Sequence, residues 1–197
     1  MIFNYSLVED KLRIMKKSIV IFIIAVLIVL LVGVTIYSMV KKSEKTKVLL
    51  ETNYGNITIE LYNDMPITTG NFVSLVQKGT YNGVIFHRII PKFMIQGGDP
   101  TGTGYGDSKI PNIRDEFTHA GGNKNNRGTI AMANAGPNTG SSQFFINLVN
   151  NNFLDPKHPA FGNVIEGMDV VDKIVAVETD SSDRPIKPVT IISAKVL

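Results

Sequence analysis

Arg88 stands among Phe86, Ile90, Phe93 and Met94. An arginine in such company costs free energy to desolvate, so a partner or a task is expected for it. Its phrase, FHRIIPKFMIQGGD (residues 86–99), also carries Gln96, and a second phrase, AMANAGPNTGSSQFFI (131–146), carries Asn134 and Gln143. A guanidinium offers N–H donors in a fixed fork, and a carboxamide both donates and accepts. These groups hold and polarise; none is a nucleophile. Other chemistries find less support. The chain has no cysteine, so thiol chemistry and disulfides are excluded. His87, His119 and His158 lie far apart without ligand spacing, and no metal is expected. The run GTGYG (102–106) lacks the Gly-Lys-Ser/Thr ending of a phosphate loop, and Pro111 follows where a helix would be needed. TGSS (139–142) is not a nucleophile elbow. Arg88 taken alone leaves two readings open: a functional donor, or a structural arginine paired with a carboxylate such as Asp99 or Glu116.

The elements that would position these residues are mostly strands. Alternating or apolar runs predict strands at 47–52, 56–62, 84–90, 93–97, 129–134, 144–148 and 189–196, the first two joined by a turn at Asn53-Tyr54-Gly55. By alternation Arg88 shares a face with Phe86 and Ile90, while Ile85, His87 and Ile89 share the other. Pro66 opens a helix with a buried stripe of Phe72, Val73, Leu75 and Val76, closed by Gly79. A second helix is predicted at 168–175, after Gly167. Residues 100–124 read as a long, tightly turned surface loop. A mainly β fold is expected, as a closed eight-stranded antiparallel barrel capped by two helices, because closure removes exposed edges.

Ahead of this domain, residues 18–40 hold no charge in 23 positions. A helix of that length, at ~1.5 Å per residue, spans a hydrocarbon core of ~30 Å. The run is longer than a signal-peptide core and is followed by no Ala-x-Ala pattern, so an uncleaved anchor is expected. The expected division is an N-terminal segment at 1–17, with a start at Met15 in view, the transmembrane helix at 18–40, a charged linker at 41–47 and the domain at 48–197. The basic charge belongs to the flanks: residues 1–47 carry +5 and residues 48–197 carry −2. A nucleic-acid partner therefore gains no support, whereas lysines beside a bilayer meet anionic head groups.

Both polar phrases, in order and at this spacing, resemble the cyclophilin family of peptidyl-prolyl isomerases, over residues 48–197. The resemblance is to a membrane-anchored, prokaryotic-like member. It implies catalysis of X–Pro bond rotation without cofactor or metal, on proline-containing polypeptides that are unfolded or newly translocated. It makes Arg88 the donor to the twisted amide and places Phe93, Met94, Phe145 and Leu154 around the proline ring, with Phe153 at the rim. Gln96 and Gln143 would bind the substrate backbone or orient Arg88. Ala133 and Asn134 would hold the peptide beyond the proline, and His158 would line the pocket. Two departures matter. Phe153 stands where many eukaryotic members have tryptophan, so the indole donor is missing and only weak cyclosporin binding is expected. The loop after Pro100 is shorter and differently composed. A monomer is expected, in the cell membrane with a single pass and the domain outside the cytoplasm. The rival reading is a tethered peptide-binding chaperone module without catalysis, against which the retained Arg88 argues.

Overall fold

The computed structural model describes residues 5–43 and 45–197. The chain divides into two compact units, Met1–Glu44 and Lys45–Leu197. The first is one helix, α1 (Tyr5–Ser43), which runs past the predicted span of 18–40 at both ends. Residues 1–4 of the expected N-terminal segment and Glu44 of the expected linker lie outside the described residues. Within α1, Met15–Thr35 has a mean hydropathy of 3.2 and is long and apolar enough to cross a membrane. Its apolar side chains, Phe22 and Leu31 among them, are uncovered.

The second unit carries strands β1 (Lys47–Thr52), β2 (Gly55–Leu61), β3 (Arg88–Ile90), β4 (Met94–Gly97), β5 (Thr129–Met132), β6 (Phe144–Asn147), β7 (Ala160–Glu166) and β8 (Ile191–Val196). Helices α2 (Pro66–Gln77) and α3 (Met168–Val175) complete it, with a single 3₁₀ turn at Asn152–Leu154. The strands form one antiparallel sheet in the order β3-β4-β6-β5-β7-β2-β1-β8. The first strand thus lies between its hairpin partner and the last.

Register decides what each strand shows to each side. Ile89, Ile95, Ile146 and Ile130 stand opposite one another across β3, β4, β6 and β5, and all four are fully buried in the main core. Aromatic rings fill that core. Phe144 meets Phe72, Tyr81 and Phe86 edge-on, with centroids 5.5, 5.6 and 6.1 Å away. The Tyr81 hydroxyl donates to the Ser142 carbonyl at 3.0 Å, which lets a tyrosine be fully buried there.

α2 begins at Pro66, but its N-cap, Met65, has no side chain able to cap it. Buried Glu116 supplies the acceptor from the long loop: its Oε2 takes the Thr68 N–H at 2.8 Å. The anion also faces the positive end of the helix dipole. α3 starts after Gly167, whose φ of 90° suits glycine. A Cβ there would lie 2.2 Å from the Asn56 carbonyl oxygen.

Three expectations are corrected. The closed barrel is not formed: among the described residues β3 and β8 share no ladder, and the sheet is an open, curled one. β3 has only three residues, and its Ile89 N–H donates to Asp183 in the loop ahead of β8 instead. The seam is spanned by irregular chain, with one bridge at Ile85↔Thr190 and bonds from Phe86 N–H to Val189 and from Gly83 N–H to Ile191. Because the chain is not a strand until Arg88, Phe86 does not share the Arg88 face; it is fully buried in the core. Finally, β7 is a strand where the sequence pattern predicted none. Gly162 disguises it, yet glycine is what its place demands, because a Cβ would sit 2.6 Å from the Glu60 carbonyl of neighbouring β2.

Phe144→Ala should cost about 3–5 kcal/mol of stability, since it opens a cavity among three rings. Urea unfolding followed by far-UV circular dichroism measures it. A loss below about 1 kcal/mol would mean that the rings are not the keystone they are taken to be.

Candidate active site

The register that buries the isoleucines sends the alternate residues to the opposite side. Arg88 pairs with Gln96, Gln96 with Phe145, Phe145 with Ala131 and Ala131 with Ala160. Paired residues of antiparallel strands share a face. One cross-strand row therefore runs from a cation through an amide to an aromatic ring and two small residues. Met94, Phe145, Ala131 and Ala160 form a second apolar cluster, distinct from the core, with Ile90, Phe93, Ala133 and Leu154 packed around it. Ala131 and Ala160 were not singled out from the sequence. Their small side chains pack in the same cluster as Phe145, a role that alanine does not advertise.

The wall is tied down by buried amides. Asn151 donates from Nδ2 to the Phe93 carbonyl and to Asn147 Oδ1, both at 2.8 Å. Asn147 in turn donates to Asn125 at 3.2 Å and to Thr129 at 2.9 Å. This network anchors Phe93 next to the turn that carries Phe153 and Leu154. Phe93 and Phe153 stack with centroids 6.0 Å apart, and Phe153 stays 69% exposed, as a rim residue would. His158 meets Phe145 edge-on at 5.5 Å. Its Nδ1 lies 3.1 Å from the Met132 carbonyl, which requires the proton on that nitrogen.

Beside the apolar cluster is a polar groove of about 700 Å³, whose lining includes Gln96, Gln143, Ala133, Asn134 and Tyr105. Gln96 Nε2 donates to Gln143 Oε1 at 3.0 Å, and Gln143 Nε2 donates to the Gly104 carbonyl at 3.0 Å. Asn134 donates to the Lys157 carbonyl at 2.8 Å, joining the far wall to the His158 loop. Ten of the eleven residues picked out from the sequence thus gather in this apolar cluster, against it or along the adjoining groove, and Arg88 stands next to them as the register partner of Gln96.

Neither carboxylate named in the sequence reading pairs with Arg88. Glu116 caps α2, and Asp99 is fully buried within its own loop. The Asp99 carboxylate accepts from Thr101 N–H (2.9 Å) and Oγ1 (2.8 Å), Thr103 Oγ1 (3.3 Å), Gly104 N–H (2.7 Å) and Gly106 N–H (3.1 Å). Gly102, Gly104 and Gly106 all have positive φ, so the glycine run that faintly suggested a phosphate loop does cradle an anion. The anion is the protein's own. Burial alone would raise the Asp99 pKa, but the hydroxyl and backbone donors outweigh it and hold the value below the usual carboxylate range. Burial also lowers the pKa of neighbouring His87, against the pull of Asp99, and its Nδ1 has no hydrogen-bond partner among the described residues. Arg88 itself is half-exposed, with Asp183 Oδ2 3.7 Å from its Nε. That is a loose, solvated contact of small energy.

Comparison with known proteins agrees with this geometry. The family model described as "Cyclophilin type peptidyl-prolyl cis-trans isomerase/CLD" matches residues 47–196. The chain belongs to that family. It is 51% identical over 155 residues to peptidyl-prolyl cis-trans isomerase-like 1 of Aspergillus fumigatus, covering 77% of this chain and 96% of the relative. It is also 51% identical to peptidyl-prolyl cis-trans isomerase ppi1 of Schizosaccharomyces pombe, covering 75% and 97%. A crystal structure of a cyclophilin-type isomerase from Cryptosporidium parvum superposes with a TM-score of 0.73 at 34% identity, over 78% of this chain and 98% of the other. The same protein in the presence of the dipeptide Ala-Pro gives 0.72 at 35% identity, over 77% and 98%. This cyclophilin is a peptidyl-prolyl cis-trans isomerase acting on proline-containing peptides. Its reaction breaks no bond. The resonance barrier of ~18–20 kcal/mol must be lowered by gripping a twisted amide, a task for fixed shape and fixed charge.

Proposed function

We propose that Arg88 is the catalytic group of this isomerase and that the hollow around Phe145 receives the proline ring. The observation that carries the reading is the row Arg88–Gln96–Phe145, which sets a cation, an amide and an apolar floor side by side on one sheet face. When the X–Pro bond twists, the prolyl nitrogen regains a lone pair, and a guanidinium N–H is a donor for it. Phe93, Met94, Phe145 and Leu154 surround the ring, with Phe153 and His158 at its margins. Gln96, Gln143, Ala133 and Asn134 hold the peptide backbone along the groove. Lowering the barrier by ~5.5 kcal/mol gives about four decades in rate. The rival reading, a binding module without catalysis, would need the hollow but not the donor.

The substrates that fit an open, shallow site of this kind are polypeptides still unfolded around their prolines, and assistance to folding near a membrane follows if α1 is an anchor. The uncharged run from residue 18 to residue 40 supports a single-pass, uncleaved helix, and the domain is assigned to the outer side. Lys11, Arg13, Lys16 and Lys17 precede the run, and Lys41, Lys42, Lys45 and Lys47 follow it, so charge alone is balanced. Chains emerging from the membrane must fold on the outer side, where a tethered isomerase would meet them, and this favours that side. The chain acts as a monomer, without cofactor or metal.

Arg88→Ala should lower kcat/KM about 10²–10³-fold, the loss typical of a transition-state donor. The half-exposed position of Arg88 predicts that fold and stability stay intact. Catalysed relaxation of an X–Pro peptide, with circular dichroism as control, measures this; normal turnover would remove Arg88 from its role. Cyclosporin should inhibit weakly, and Phe153→Trp should tighten inhibition by restoring an indole donor at the rim. Equal inhibition constants for the two proteins would refute the missing-donor argument. Protease added to intact cells stripped of any wall should digest the domain, whereas protection until lysis would reverse the topology.

A further inference from the structure

The two glutamines of the groove form a relay whose direction is not free. Gln96 donates to Gln143, and Gln143 donates to the Gly104 carbonyl. A carbonyl only accepts, so Gly104 forces the Gln143 nitrogen toward the loop and turns its oxygen toward Gln96. Gln96 must then present nitrogen to Gln143, which leaves Gln96 Oε1 as the open acceptor of the relay, with no donor to it among the described residues. Gln96 is the register partner of Arg88, and a guanidinium, which has only donors, needs an acceptor for a neighbour. Had the loop offered an N–H in place of that carbonyl, both amides would be reversed. Arg88 would then face a donor.

What fixes the Gly104 carbonyl is Asp99. Its buried carboxylate takes the Gly104 N–H at 2.7 Å and the Gly106 N–H at 3.1 Å, gripping the loop on both sides of residue 105. Thr103 Oγ1 braces the same turn, taking the Tyr105 N–H at 3.2 Å and meeting Thr101 Oγ1 at 2.8 Å. His87 packs beneath: a Cβ on Gly104 would meet its Cδ2 at 3.3 Å, so the peptide has little room to turn. We propose that Asp99 is a positioning residue for bond rotation, acting through the Gly104 carbonyl to set the polarity of the Gln143–Gln96 relay beside Arg88. The inference rests on the assignment of the active site to this face.

Asp99→Asn tests it, because the amide brings two donors into a nest made of donors while nearly conserving volume. Gln143→Ala cuts the relay, and the double variant closes a cycle. Asp99→Asn should lower kcat about ten-fold, as expected for a small displacement of a catalytic group, with little change in KM, whereas Gln143→Ala should lower kcat at least as much and also raise KM, because Gln143 lines the groove. The double variant should then be no worse than the poorer single, because Asp99 has nothing left to act through. Multiplied losses in the double variant, or wild-type turnover in a folded Asp99→Asn protein, would overturn the proposal. Thr103→Val removes the brace on Tyr105 N–H and the longest of the carboxylate's hydrogen bonds while keeping Asp99 itself, and serves if Asp99→Asn does not fold. It should show a smaller kcat loss that likewise vanishes in the Gln143→Ala background, and persistence of its loss there would count equally against the idea. Arg88→Ala measured alongside separates the two levels. Full activity in that variant would sink the site itself, whereas a loss there with multiplicative Asp99 and Gln143 effects would sink only the relay.

Discussion

The pairing of β3, β4, β6 and β5 is the constraint from which both the stability and the chemistry of this domain follow. In a pleated sheet, neighbouring residues along a strand point to opposite sides. One register therefore sorts Ile89, Ile95, Ile146 and Ile130 into the core and Arg88, Gln96, Phe145 and Ala131 onto the other face. A slip of a single residue would exchange the two sets, placing an arginine and a glutamine in the core. The register is held by burial on both faces, since the outer row carries its own apolar cluster rather than open solvent. That outer cluster is thus a second, smaller core, and it depends on the first for the geometry of its floor.

The polar parts of the molecule repeat one solution. Groups that cannot reach water are satisfied by loop segments, distant in sequence for Glu116 and Asn151 and local for Asp99, and satisfying them shapes the loops. Glu116 caps α2, Asp99 gathers residues 101–106, and Asn151 fastens Phe93. Loops stretching from residue 98 to residue 128 have no strand or helix of their own, yet these bonds give them a defined course. For a site built partly on loops, this replaces the rigidity that regular elements supply elsewhere.

Much of this could be read before any coordinates. The strand at 47–52 and the helix at 168–175 coincide with the observed β1 and α3, because alternation and amphipathic spacing were unbroken there. The residues of the outer face drew attention because polar side chains interrupt apolar runs, and the roles expected of them come from the resemblance to a family. What escaped depends on tertiary context. No strand was predicted at residues 160–166, and the close approach of β2 that demands Gly162 is invisible along the chain. Phe86 was assigned to the wrong face because alternation was extended into a segment that is not yet strand. The closed barrel was inferred from the cost of bare edges, but short irregular segments cover the seam instead. Asp99 was weighed as a partner for Arg88, and nothing in its neighbours' identities revealed that five local donors already claim it.

The position of β1 has a consequence for how the protein is made. β1, the first strand of the domain, pairs on one side with β2 and on the other with β8, so that Val48 faces Val196 and Leu197 N–H donates to Lys47. The sheet cannot be completed until β8 has left the ribosome. Until then one edge of β1 is bare, and its alternate residues Val48 and Leu50 lack part of their cover. Contacts that join the two ends of a chain are slow to form, because the whole intervening loop must be ordered first. An isomerase of X–Pro bonds therefore completes its own sheet only once β8 has been made.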